Sequence, residues 1–181
     1  MPVDSRLTYE DYCLLPEDGK RYEIIEGELY VTLSPLRPHQ KVLANLAYYL
    51  LAYVKTHRAG EVFFAPFDVV FSEFDVVEPD LMYISRERSA VLTEKNVQGA
   101  PDLVVEILSK STEGRDRTTK LKLYARYGVR EYWMIDPLVL TAEVYRLGRA
   151  GFEAAAEIGP DDELSSPLLP GFGVALRRLA E

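Results

Sequence analysis

The stretch PDLVVEILSKST, residues 101–112, decides how this chain is read. As a β-strand it sets Leu103, Val105 and Ile107 on one face and Val104, Glu106 and Leu108 on the other, because side chains alternate with period two. Glu106 is then a carboxylate in the middle of an otherwise apolar strand. Burying an unpaired charge costs several kcal/mol or more, so this position calls for a cation, a metal or a proton beside it.

A partner is visible upstream in VVEPDLMYIS, residues 76–85, where Asp80 shares a strand face with Met82 and Ile84. Two such strands side by side bring two carboxylates together, and like charges that close repel unless something positive lies between them. A divalent ion held by Asp80, Glu106 and a backbone carbonyl, most simply that of Ile107, satisfies the pair with hard oxygen ligands suited to Mg2+ or Mn2+. Downstream, i, i+4 spacing puts Asp116, Lys120 and Tyr124 on one helical stripe that packs back over the sheet and lets Lys120 reach the acids. A cation that polarises a phosphate and an ammonium that steadies the attacking water or the developing charge suffice for phosphodiester hydrolysis. Each residue has a duller role to set beside this one. Asp80 next to a proline can blunt a sheet edge, and Glu106 with Lys120 can be a purely structural ion pair.

The bulk numbers narrow the field. With 181 residues, 48% of them hydrophobic, the chain has the size of one domain spanning 1–181. The opening MPVDSRLTYEDY lacks a basic stretch followed by an apolar core, and the longest apolar run, residues 43–54, falls short of the ~20 residues that span a bilayer. A cytoplasmic protein without a membrane partner is expected. One cysteine, Cys13, excludes an internal disulfide framework, and with two histidines it excludes a Cys/His zinc cluster. The net charge of −8 argues against non-specific polyanion binding, yet residues 109–130 hold seven basic against two acidic side chains, a local +5 that leaves −13 for the remainder. This run is a solvated helix face or a local attraction for an anionic substrate. On the second view Arg115, Arg117 and Lys122 are its nucleic-acid contacts.

Along the chain, Thr8 caps a short helix to Leu15, and RYEIIEGELYVTLS, residues 21–34, reads as a hairpin turning at Glu26-Gly27. Residues 38–57 repeat apolar positions at helical spacing, ending at Ala59-Gly60. Two strands follow, residues 61–71 and 76–85, joined through SEFD. Beyond the 103–108 strand, Ser111 or Thr112 caps a helix to Tyr127, stopped by Gly128. Strands at 131–136, 141–147 and 152–159 precede a Pro- and Gly-rich tail. The fold class is α/β (α+β): a mixed central β-sheet flanked by helices, with an N-terminal hairpin and additional C-terminal strands.

RYEIIEGEL (21–29), SPLRPHQ (34–40), the PD of residues 79–80, APDLVVEILSKST (100–112), DRTTKLKLYARYGVREYWMIDP (116–137) and SPLLPGF (166–172) together resemble a restriction-endonuclease family of the PD-(D/E)XK nuclease superfamily, long catalogued as a domain of unknown function. The resemblance runs over nearly the whole chain. It implies a restriction-endonuclease-like core, Asp80 and Glu106 as metal ligands, and DNA as substrate. The superfamily places its lysine two residues after the second acid, where this chain has Leu108, so the resemblance implies a lysine supplied by the following helix, Lys120. Lys110 and Lys122 are rivals. Glu23 matches a family acid that could add an outer ligand, and otherwise reads as an exposed strand residue. His39 matches the SP...H segment, and otherwise reads as packing or capping. By analogy with the superfamily, cutting both strands implies a homodimer or higher homo-oligomer. The competing function is a catalytically inactive nuclease-like binding or assembly protein with a structural Asp/Glu/Lys cluster. A glycosidase is weaker, since it leaves the basic segment unexplained.

Overall fold

A computed structural model describes residues 6–181; the opening stretch MPVDSRLTYEDY lies partly outside that range. Helix α1 (Tyr9–Tyr12) starts at Thr8, whose hydroxyl accepts from the Asp11 amide while Asp11 bonds back to the Thr8 amide, a reciprocal cap. Strands β1 (Arg21–Ile25) and β2 (Glu28–Thr32) form the expected hairpin. Glu26 and Gly27 both take positive φ at its turn, 55° and 82°, as a two-residue connection between twisted strands demands.

Helix α2 (Arg37–His57) buries Val42, Leu43, Leu46, Ala47, Leu50 and Val54 along one stripe. Its left-handed C-cap is Arg58, whereas the sequence pointed to Ala59-Gly60. Gly60 serves a different need: a Cβ there would stand 2.1 Å from the Ile84 carbonyl oxygen, so only glycine permits the close approach of the next strand pair.

The expected strand 61–71 is two strands in two sheets. β3 (Gly60–Phe64) ends before Ala65-Pro66, and β4 (Val69–Ser72) begins after it, because a proline cannot donate to a ladder. The second expected strand is likewise divided into β5 (Asp75–Val77) and β6 (Leu81–Ser85) on either side of Pro79. Then come β7 (Val97–Gln98), β8 (Leu103–Ile107), a helix built from α3 (Glu113–Arg115), a π-helical turn (Asp116–Lys120) and α4 (Leu121–Tyr127), and β9 (Glu131–Asp136), β10 (Thr141–Gly148), β11 (Gly151–Ile158), β12 (Glu163–Ser165) and β13 (Gly173–Ala175).

Among the described residues the strands form a six-stranded mixed sheet, β11-β10-β9-β8-β6-β3, a five-stranded sheet, β2-β1-β5-β4-β7, and the small β12-β13 pair. Within the large sheet β8 runs parallel to β9 and antiparallel to β6. Leu103, Val105 and Ile107 pack toward α2 and the C-terminal segment, while Val104 and Leu108 face Tyr124, Tyr132, Met134 and the second sheet. The alternation read from residues 103–108 is thus the division between two cores. A mixed sheet flanked by helices, with an N-terminal hairpin and extra C-terminal strands, is the architecture expected from sequence. No helix among the described residues is long and apolar enough to cross a membrane.

Candidate active site

The β6–β8 register pairs Leu81 with Val105 and Met82 with Val104, so the ladder's next step sets Asp80 opposite Glu106. The Ile107 amide, beside Glu106, donates to Asp80 Oδ2 at 2.8 Å. Asp80 also accepts from Arg21 Nη1 at 2.7 Å and from His39 Nε2 at 3.0 Å. Burial alone would raise this carboxylate, but the bond from His39 and the charge of Arg21 outweigh it and hold the group down to about 2.

Glu106 makes both of its hydrogen bonds through Oε1, to Lys120 Nζ at 2.8 Å and Tyr124 Oη at 2.7 Å. Lys120 reaches Glu23 as well, at 2.7 Å, and Asp116 at 3.8 Å. The i, i+4 stripe Asp116, Lys120, Tyr124 is therefore present, carried by a π-helical turn that sequence periodicity does not show. Such turns insert a residue into the helical ladder and recur at functional sites.

Glu23, whose alternative reading was an exposed strand residue, is 1% exposed. It accepts the Glu78 amide at 3.1 Å and pairs with Arg115 at 3.2 Å. Arg115 in turn bonds Thr32 and lies 4.9 Å over the Tyr30 ring. His39 is buried on Asp80 instead of capping the helix. Sequence reasoning missed Arg21, which bonds both Asp80 and the Glu78 side chain. A signal for it existed, since Arg21 shares a strand face with Glu23.

The rival lysines separate cleanly. Lys110 is exposed at the mouth of the same cavity, and Lys122 is exposed on a different surface, next to Arg126. Of the basic residues proposed for nucleic acid, Arg115 belongs to the buried cluster and Arg117 is held by Glu113 and Glu143.

The electrostatics expose an imbalance. Lys120 is pushed down by burial, but Glu106, Glu23 and Asp116 outweigh that and raise it. Glu23 is lowered, because Lys120 and Arg115 overcome its burial. Glu106, although bonded to the same ammonium, is pushed up to about 8 by burial together with Asp80, Asp116 and Glu23. Two carboxylates bonded to the same ammonium thus lean opposite ways: one ammonium serves three carboxylates, and Glu23 with its second cation holds the larger share. Counting Glu78, five carboxylates here face three permanent cations, Arg21, Arg115 and Lys120.

Protons on Glu106 and Glu78, pushed up to about 8 and about 7 by burial and neighbouring carboxylates, or a divalent cation would make up that deficit. His39 Nδ1 and Arg115 Nε are buried without a hydrogen-bond partner among the described residues, Glu23 Oε2 and Asp116 Oδ1 have only their ion pairs with Arg115 and Lys120, and all four residues line one cavity of about 300 Å³ with Asp80, Glu106, Ile107 and Lys120. Clustered orphan atoms of this kind mark where water, an ion or a ligand completes a site. No group of three His, Cys, Asp or Glu side chains poised to hold a metal occurs among the described residues. Two carboxylates nevertheless fit Mg2+, which is commonly held by one or two of them together with substrate phosphate.

The shift of Glu106 yields a first prediction. Its folded-state pKa lies above the unfolded value near 4.5, so its contribution to stability is present below that value and is lost as pH rises through about 8. In chelator, the melting temperature should climb as pH is lowered from about 8 toward about 5, and Glu106→Gln should flatten that climb. An unchanged slope in the variant would assign the titration elsewhere.

The sequence matches the Uma2 family, described as "Putative restriction endonuclease", over residues 9–177. It is 27% identical over 143 residues to an uncharacterised protein of Synechocystis, covering 77% of this chain and 80% of that one. A crystal structure described as a putative nuclease from Anabaena variabilis superposes with a TM-score of 0.80 at 22% identity, covering 96% of this chain and 97% of the other. That likeness establishes that the two chains share a fold.

Proposed function

The chain belongs to the Uma2 family, and from that premise we propose that it is a divalent-cation-dependent endonuclease hydrolysing DNA phosphodiester bonds. The observation carrying this reading is the convergence of Asp80, Glu106, Lys120, Glu23 and His39 on the floor of one cavity. Asp80 and Glu106, with the Ile107 carbonyl, are the groups that would hold Mg2+ or Mn2+, which supplies Lewis-acid polarisation of a phosphoryl oxygen when bound. His39 and Arg21 keep Asp80 ionised and oriented. Lys120, fixed by Glu23 and Glu106, holds the attacking water or stabilises charge developing on the phosphate. Glu23, Asp116 and Tyr124 set the position of that ammonium and of Glu106, and Lys110 stands at the cavity mouth where the strand enters. Arg117 and Lys122, which do not line the cavity, are proposed as wider contacts to DNA, while Arg115 is committed to Glu23 and Thr32, and a homodimer is the proposed assembly.

Thermal melting with Mg2+ or Mn2+ tests the cation site. At a hundredfold excess over the dissociation constant, the wild type should gain ~2.7 kcal/mol, and Glu106→Ala should lose the response. A second reading has its own support: Lys120 is already bonded to Glu106 and both Asp80 oxygens are engaged, as in a structural cluster of an inactive assembly protein. No shift in the wild type and no plasmid nicking with either ion would establish that reading.

A further inference from the structure

Asp80, Glu106 and Lys120 lie 2–3% exposed, at the bottom of the cavity. A scissile phosphate must descend into it. Duplex DNA is stiff over ~150 base pairs and presents its phosphates on a continuous outer surface, so it does not lower one of them into a recess. Around the mouth stand Leu33, Leu36 and Leu138, 67–78% exposed, and Pro35. Such a rim offers nothing to a phosphate, but it suits the face of an unpaired base.

A wider groove of about 980 Å³ continues from this mouth, sharing Arg21, Pro35 and His39 with the cavity. Two aromatic rings open into solvent along it, Tyr48 from α2 at 67% exposure and Phe64 from the end of β3 at 49%. Ala44 and Ala47 line it as well. Its charges oppose each other, Lys20 and Arg21 against Glu17 and Glu78, and the chain as a whole is at −8. Phosphate attraction is therefore too weak here to seat a duplex. Exposed aromatic faces beside a cation are the platform on which unpaired bases stack, and stacking tolerates any sequence.

We propose that this groove is a nucleobase-binding subsite for an unpaired DNA strand running out of the active-site cavity, with Tyr48 and Phe64 as its stacking surfaces. The substrate class is then single-stranded or locally unpaired DNA. This inference rests on the nuclease reading above.

The test is fluorescence anisotropy in chelator with a labelled single-stranded oligodeoxythymidylate of about 12 nucleotides and a duplex of equal length. Single-stranded DNA should bind at least about tenfold more tightly, and Tyr48→Ala and Phe64→Ala should each weaken it by about tenfold with an unchanged melting temperature. Equal affinity for the two probes, or neutral aromatic variants, overturns the subsite. If Tyr48→Ala instead converts a dimer to a monomer in light scattering while DNA binding is unaffected, the groove is an interface between copies and the proposal falls. A parallel cleavage assay with Mn2+ separates the two readings. Single-strand cutting with neutral aromatic variants removes the subsite and leaves the nuclease. Tight, aromatic-dependent binding without cutting of either probe removes the nuclease and leaves the subsite.

Discussion

Asp80→Ala is expected to lower divalent-cation-dependent plasmid nicking by about 10³-fold, the upper range for removing one charged group that acts in a transition state. Asp80 is chosen because its surroundings serve its negative charge: Arg21, His39 and the Ile107 amide all donate to it, and its carboxyl stays ionised down to about 2. Removing the carboxylate leaves Arg21, His39 and the Ile107 amide without their buried acceptor, so the alanine variant loses the cation site and the local order together. Asp80→Asn separates these effects, since it keeps the volume and accepts through one oxygen. Both variants should lose nicking, and Asp80→Asn should melt between the alanine variant and the wild type, because its amide nitrogen meets one of the three donors and its neutral group no longer pairs with Arg21. Nicking that persists in both would move the chemistry to another site or another protein.

Lys120→Met should cost about 3–5 kcal/mol of stability at neutral pH, the range for breaking a buried ion pair by deleting one partner. The methionine fills the same space but leaves Glu23 and Glu106 without the ammonium that lies 2.7 and 2.8 Å from them. Arg115 still compensates Glu23, so Glu106 bears most of the loss. Both carboxylates then titrate higher in the folded state. By linkage the deficit should be largest above about pH 8 and shrink as the groups are protonated toward pH 5. Glu106→Gln placed on Lys120→Met should recover part of the loss, because it removes the uncompensated charge. A single variant that melts like the wild type across that range would show that Lys120 carries no buried pairing.

Much of this was legible from local pattern. Period-two alternation separated Val104 and Glu106 from Leu103, Val105 and Ile107, and the two cores divide along that line. Glu26-Gly27 turned the hairpin, and Thr8 capped the first helix. The same pattern misled wherever a proline interrupted an apolar run. Residues 61–71 have the composition of one strand, yet Pro66 divides them between two sheets. Proline within such a run was itself the available signal. The cap at Arg58 was not visible, because an arginine in left-handed conformation has no compositional mark.

The sequence alone determined that two acids interrupt apolar strands, that a basic helix follows the second, and that Asp116, Lys120 and Tyr124 share a stripe. These are properties of neighbours within a few residues, written in periods of two and three to four. It took the three-dimensional packing to set Asp80 opposite Glu106, to bring Glu23 and Arg21 on β1 and Arg115 on α3 to the cluster, and to aim Lys120 at Glu106 from a π-helical turn. Register between distant strands and the covering of a face arise from contacts across dozens of residues. Local periodicity carries no record of them, and the charge balance of the site depends on each one.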